Sequence, residues 1–323
     1  MTTLRTATAE KKNATSASRG PVQRPGPPRK RSVMDHQGRA AALFLAPALI
    51  GFALFYVYPA VRGAYLSLTN YNPVSPRPPE FVGLENYQQL WNDELFWKSL
   101  RVTAEYVVLN IVSQTVLALV LAALMARLTR SVVLRATLLI PWLVPNVTVA
   151  LTWFWLLDAN LGFANHLLGA VGISPQGFLS DPDQAMPAIA AINTWAYTGY
   201  TALLLYAGML QIPKQIYEAA AIDGLREIRL FFHITLPLLR PVLALVLVVS
   251  LIGSFQIFDT IAVTTKGGPV NATQAIYYYI YRQAFSYLHM GYASALAMTL
   301  VLILGSLTFL QLRMLRASSS DLA

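Results

Sequence analysis

Few residues in this chain could do chemistry, and the usual catalytic constellations are missing. With no cysteine there is no disulfide framework, thiolate metal site or cysteine nucleophile. The four histidines, His36, His166, His233 and His289, are scattered without metal-ligand spacing, and no GxxxxGK(S/T) phosphate loop is present. No nucleophile, metal cluster or carboxylate pair stands out, so the expectation is no catalytic residue, no metal and no cofactor, which opposes a membrane-embedded enzyme. What remains is a set of polar and aromatic side chains inside apolar runs. Asn193, Trp195, Tyr197, Thr198 and Tyr200 interrupt one run. In another, Ser250, Ser254 and Ile257 recur at about one-turn spacing on one face, with Gln256, Phe258 and Asp259 close by. Polar groups in a bilayer cost free energy unless they face a partner or a wet path. Rings beside hydroxyls and amides suit a solute with apolar faces and a fringe of hydroxyls, as a sugar has. Asp259 and Glu105 are the acidic residues that an ion-coupled secondary transporter, the alternative reading, would use. Both fall toward the outer ends of their runs, whereas such a transporter buries its ion site near the midplane. The Asn-x-Thr triplets at Asn13, Asn146 and Asn271 carry no weight.

The elements that must position these residues follow from composition. Over 323 residues the chain is 55% hydrophobic and 12% charged, with a mean hydropathy of +0.49, too apolar for an ordinary soluble protein. Its apolar runs are of about 20 residues, which predicts helical spans and excludes an outer-membrane barrel of short alternating strands. Six spans are expected, at about 41–60, 102–125, 136–156, 186–210, 238–258 and 291–312. Pro141 and Pro145 should kink or interrupt the third.

Charge gives the orientation. Six spans put both termini on one side. Of the 24 Lys and Arg residues, nine precede residue 40, three lie between spans two and three, four fall in the loop after span four counting Arg240 at the start of span five, and two at the C-terminus, 18 in all. That bias places both termini and the loop after span four in the cytoplasm of a multi-pass protein of the inner membrane. Residues 1–38 read as a disordered basic tail lying near anionic lipid, rather than a nucleic-acid binder or a signal peptide.

The loop after span four has a pattern of its own. Lys214 to Ile222 has the composition of a short helix, Gly224 sits where a left-handed residue would end it, and Arg226 to Thr235 forms a second amphipathic segment before Pro237 and Pro241. Glu218-Ala219-Ala220, Asp223-Gly224, Phe231, Ile234, Leu236-Pro237 and Pro241 resemble the EAA loop of the membrane subunits of binding-protein-dependent ABC importers. Further segments resemble the carbohydrate-uptake branch of that family, and within it the first of two permease subunits. These are Phe81 to Tyr87 with Phe96 to Leu100, Gly267-Gly268-Pro269 with Ala272-Thr273, and Met290 to Ala295. The likeness covers about residues 40 to 315. Unlike the maltose-type member, the chain has no external loop long enough for a large inserted domain.

The resemblance implies an all-α type I ABC importer permease fold, divided as the tail 1–38, a first span with its external segment 39–95, and a transmembrane core 96–316. It implies a second permease subunit, two ATP-binding subunits, an extracytoplasmic solute-binding protein and a sugar or polyol as solute. It also implies that Glu218, Ala219, Ala220, Asp223 and Gly224 form a coupling helix seated on the ATPase. By likeness to the maltose permease, Tyr197, Tyr200, Ser250, Ser254 and Ile257, with Trp195 beside them, line the path. The topology is testable because the chain has no native thiol. Cysteines at Ser18 and Ser319 should resist an impermeant thiol reagent in intact cells while one at Ser174 reacts; labelling at Ser18 without permeabilisation would overturn the orientation.

Overall fold

The computed structural model describes residues 31–128 and 131–316. Most of the basic tail, with Ser18, and the C-terminal Ser319 lie outside the described residues. The chain divides into two compact units, one ending at Tyr58 and the other beginning at Pro59. The described part of the first is the helix α1 (Arg31–Phe52), which carries Pro47 within it, followed by a π-helical turn Ala53–Val57. No residue of the apolar window in Ala41–Leu66 is buried.

The second unit opens with α2 (Tyr58–Leu66), α3 (Glu85–Trp91) and α4 (Glu94–Leu128). There follow α5 (Val132–Leu143), α6 (Asn146–Leu156), α7 (Phe163–Ala170) and α8 (Ala185–Leu210). The short helices α9 (Lys214–Ile222), α10 (Glu227–Leu230) and α11 (Leu236–Leu238) precede α12 (Arg240–Phe255). Then come α13 (Asp259–Val263), α14 (Ile276–Tyr281) and α15 (Met290–Arg316). Among the described residues the only β-structure is one isolated bridge, Thr69 with Phe81.

Two expected spans differ from their apolar runs. The second begins eight residues early, at Glu94, because the Asp93 carboxylate accepts from the Leu95 and Phe96 amides (2.9 and 3.3 Å) and starts the helix in polar sequence. The third is two helices bent by 89°. Pro141 stays inside α5; Pro145 makes the break, holding Val144 extended (φ −77°, ψ 134°) ahead of α6.

By length and composition four helical segments among the described residues can cross a membrane, Ala41–Leu66, Glu94–Arg127, Arg240–Val263 and Met290–Met314, and the bent pair makes a fifth. The fourth expected span, α8, has 26 residues, about 39 Å of helix, yet it is not among the apolar ones. Its polar residues explain why: Asn193, Thr194, Tyr197, Thr198, Tyr200 and Thr201 fall within three turns.

Helix α8 is accordingly wrapped by its neighbours. It runs along α4 and also packs on α5, α12 and α6. Small residues permit the close approach, with Ala118 and Ala122 of α4 buried against Ala202 and Leu205 of α8. Gly199 is tightest: a Cβ there would lie 1.8 Å from the Leu138 carbonyl oxygen of α5. At the other end of the fold a second knot ties α4, α14 and α15. Asp93 accepts from the phenols of Tyr279 and Tyr292, the Ile276 amide donates to Thr103 Oγ1 (2.8 Å), and Gly291 donates to the Tyr71 carbonyl (3.0 Å). Burial, and next the Asp93 carboxylate, push the Tyr279 phenol's pKa well above its usual value, which keeps it a donor. Asn86 Nδ2 donates to the carbonyls of Ser67 and Thr69 (2.8 and 2.9 Å) and holds the external segment to the same knot.

The α5–α8 crossing gives a direct test. Gly199→Ala should force α5 and α8 apart and destabilise the purified protein by about 1–3 kcal/mol, read as a lower thermal midpoint. Gly253→Ala, where an added Cβ meets nothing within 4 Å, should leave the midpoint unchanged. Equal midpoints for both variants would contradict the crossing.

Candidate functional site

Where α8 is not covered, it opens onto a cavity of about 350 Å³, within the range of small-molecule sites. Of the residues expected to line a path, Tyr197, Tyr200, Ser250, Ser254 and Ile257 meet here. Their spacing explains it: 250, 254 and 257 fall on one face of α12 and its continuation, and 197 and 200 on one face of α8. Trp195 does not join them. Two residues from Tyr197 it lies about 200° round the helix, and its ring meets Trp153 edge-on at 5.4 Å while staying half exposed.

Asn193, Gln256, Phe258 and Asp259, also noted from the sequence, line the cavity too, whereas the walls from α4 and the broken span were not singled out. From α4 come Tyr106, Asn110 and Gln114, and from the broken span Trp142 and Asn146. Trp142 stacks on Tyr200 with ring centroids 4.5 Å apart and planes 10° from parallel, making an aromatic wall. Opposite it, a chain of amide donors runs behind the surface. Asn110 Nδ2 donates to Gln114 Oε1 (3.3 Å) and to Ser254 Oγ (3.0 Å), and Gln114 Nε2 donates to Thr201 Oγ1 (2.7 Å). Both hydroxyls are therefore acceptors toward the protein, and among the described residues neither gives its own proton to an acceptor. Ser254 and Thr201 are each 3% exposed and both line the cavity. Their protons are free of protein acceptors, so this wall can donate to oxygen acceptors.

At one end of the cavity Tyr197 OH donates to Asn146 Oδ1 (3.1 Å), and Asn146 Nδ2 donates to Asp259 Oδ2 (3.1 Å). Asn146 and Asp259 are the first residues of α6 and α13, so the links join two helix starts, each just after a break. The two acidic candidates separate: Asp259 lines this cavity, while Glu105 lies exposed in a separate groove with Lys98, Arg101 and Asp183.

The loop after α8 folds as its punctuation predicts. Helix α9 spans Lys214–Ile222, and Gly224 follows with φ +73°. The Leu225 amide reaches the Ala220 carbonyl and the Gly224 amide the Ala221 carbonyl (both 3.1 Å), the paired bonds of a Schellman stop. The second amphipathic segment is α10 followed by a π-helical turn Phe231–Thr235. Glu218, Ala219, Asp223 and Gly224 are exposed, whereas Ala220 is buried and packs inward. Around them Ile222 and Ile228 are exposed at 87% and 75%, an apolar rim on a charged loop. Arg127, near the end of α4, forms an ion pair with Glu227 and also donates to its carbonyl, fixing α10 to α4. That pair could not be found from sequence, since its partners stand a hundred residues apart.

Residues 114–316 match the family model described as binding-protein-dependent transport system inner membrane component. The chain is 35% identical to the sulfoquinovosyl glycerol transport system permease protein of Agrobacterium fabrum, over 85% of this chain and 90% of that one. It is 36% identical to the trehalose/maltose transport system permease protein of Thermococcus litoralis (79% and 85% covered). It is 35% identical to the sn-glycerol-3-phosphate transport system permease protein of Yersinia pestis (84% and 92%). A bacterial ABC transporter involved in the import of the acidic polysaccharide alginate has a chain of the same fold, with a TM-score of 0.77 at 21% identity over 89% of this chain and 99% of that one.

If the cavity carries solute, its aromatic wall and its hydroxyl wall should matter separately. Tyr200→Ala removes the ring stacked on Trp142, and Ser254→Leu fills the opposite side with an apolar group. Each should cut solute uptake by membrane vesicles about tenfold, the scale of one lost pocket contact, with subunit assembly intact. Normal uptake in both variants would remove this cavity from the path.

Proposed function

This chain belongs to the family of binding-protein-dependent transport system inner membrane components, and on that premise we propose that it is a permease subunit of an ATP-driven importer of a sugar or related polyol. One observation carries the reading. The family-matched region contains both a polar, aromatic-walled cavity between its helices and an exposed, rigidly stopped helical knuckle at the end of α8. A secondary transporter or a membrane-embedded enzyme needs no such knuckle.

In this reading the chain pairs with a related second permease subunit, two ATP-binding subunits hydrolyse ATP below, and a soluble binding protein delivers solute from outside. Both termini and the knuckle face the cytoplasm, as the distribution of Lys and Arg supports. Glu218, Ala219, Asp223 and Gly224 meet the ATP-binding subunit, with Ile222 as an apolar anchor. Ala220 acts from behind, packing α9 onto the rest of the loop. Closure of the ATPase pair displaces the knuckle as a rigid piece. Arg127 passes the movement to α4, one wall of the cavity, and the spans rock from inward-open to outward-open. The chain itself makes and breaks no bonds. The solute is held through rings and hydroxyls on α8 and α12, the same side-chain chemistry that a sugar's own faces and hydroxyls complement. The named relatives handle both neutral and phosphorylated solutes, so their names alone do not choose between these classes.

The knuckle is the place to test this. At Gly224 there is room for a side chain, and the obstacle is its left-handed backbone, which costs a β-branched residue about 1 kcal/mol or more. Gly224→Val should misalign α9 and α10, Asp223→Ala should disturb the adjoining turn, and Glu218→Lys should reverse the charge presented without moving the corner. In purified complexes in lipid, with binding protein and solute present, Gly224→Val and Glu218→Lys should assemble normally yet lose stimulated ATP hydrolysis and uptake together. Retention of both activities in both variants would reduce the knuckle to a loop and remove the main support for the proposal.

A further inference from the structure

The residues around the 350 Å³ cavity contain no Lys, Arg or His, and the one carboxyl among them is that of Asp259. That carboxylate is held in place. Asn146 Nδ2 grips one oxygen at 3.1 Å, and Tyr197 in turn fixes Asn146. We infer that this cavity is a charge filter, in which Asp259 is a specificity-determining residue and the solute admitted is a neutral, hydroxyl-rich molecule rather than an anion. The inference rests on the reading of the cavity as the solute path.

The electrostatics favour it on two counts. An anion entering the cavity loses hydration and meets no cationic side chain from this chain to replace it. It also meets a fixed like charge in surroundings of low dielectric, where repulsion at about 10 Å still amounts to more than a factor of ten in occupancy. A neutral polyol faces neither cost. Ser254 and Thr201 direct protons at its oxygens, and Asn193 and Gln256 supply further amide groups. The phenol of Tyr106, without a hydrogen-bond partner among the described residues, adds another donor. Trp142 and Tyr200 cover an apolar face.

The field in the cavity can be read without knowing the solute. Ser250→Cys puts a single thiol on the wall of a chain that has none. In permeabilised membranes holding the assembled complex, its modification by neutral, anionic and cationic methanethiosulfonate reagents is followed as a mass shift of this chain. The neutral reagent should react. The anionic-to-cationic rate ratio should lie at least about tenfold below that of a small thiol in solution. Taking both rates on one thiol cancels any change in its ionisation. Asp259→Asn should raise the ratio about tenfold, and Asp259→Glu, which keeps the charge, should leave it low. A ratio equal to that of the free thiol, or one that Asp259→Asn leaves unmoved, overturns the filter while the cavity stands as a path. If the neutral reagent cannot reach the thiol, the cavity is no path, and the filter falls with it.

Discussion

A bilayer gives no hydrogen bonds, and α8 carries more polar groups than it can satisfy alone. That constraint organises the fold. Asn110 and Gln114 sit on α4 a turn apart, where they meet Ser254 and Thr201, and the Ser113 hydroxyl lies 2.7 Å from that of Thr194. Small residues let α4 and α5 come close enough for these contacts, down to the Gly199 crossing. The cavity is the remainder of the same arrangement: the arc of α8 that its neighbours leave uncovered, still furnished with polar groups.

Both ends of the unit are tied by side-chain contacts, and the middle is broken. One end is tied by Asp93 to two tyrosines on different helices, the other by Arg127 to Glu227 and by the Schellman stop at Gly224. Between them α5 gives way to α6 at Pro145, and α12 gives way to α13 after Phe255. These interruptions meet at one end of the cavity, joined by the Asn146–Asp259 hydrogen bond.

The sequence was most informative where structure is set by neighbours in the chain. The ends of α9, the corner at Gly224 and the break near Pro145 depend on glycine and proline geometry and need no tertiary partner. The Ser250, Ser254, Ile257 face followed from helical period alone. The α4 side of the cavity was illegible for a physical reason. One Asn or Gln in a long apolar helix looks the same whether it faces a partner or a cavity, and Asn110 does both. Asn146 was passed over as part of an Asn-x-Thr triplet inside a span. Trp195 interrupts the same apolar run as Tyr197, but the two-residue spacing turns one away from the other on the helix. The length of α4 was hidden because a cap, rather than hydrophobicity, sets its start.

The composition of α8 also bears on how the protein is made. A segment that falls short of the other spans in apolarity partitions weakly into lipid by itself, and its retention depends on groups that accept its hydroxyls and amides. Those on α4 leave the ribosome about eighty residues earlier, as the separation of Ser113 from Thr194 indicates, while Thr260, the partner of Asn193, follows later. The order of synthesis thus supplies α8 with part of its polar lining before it arrives. Membrane integration of this helix is a cooperative event, in which an earlier span acts as solvent for a later one.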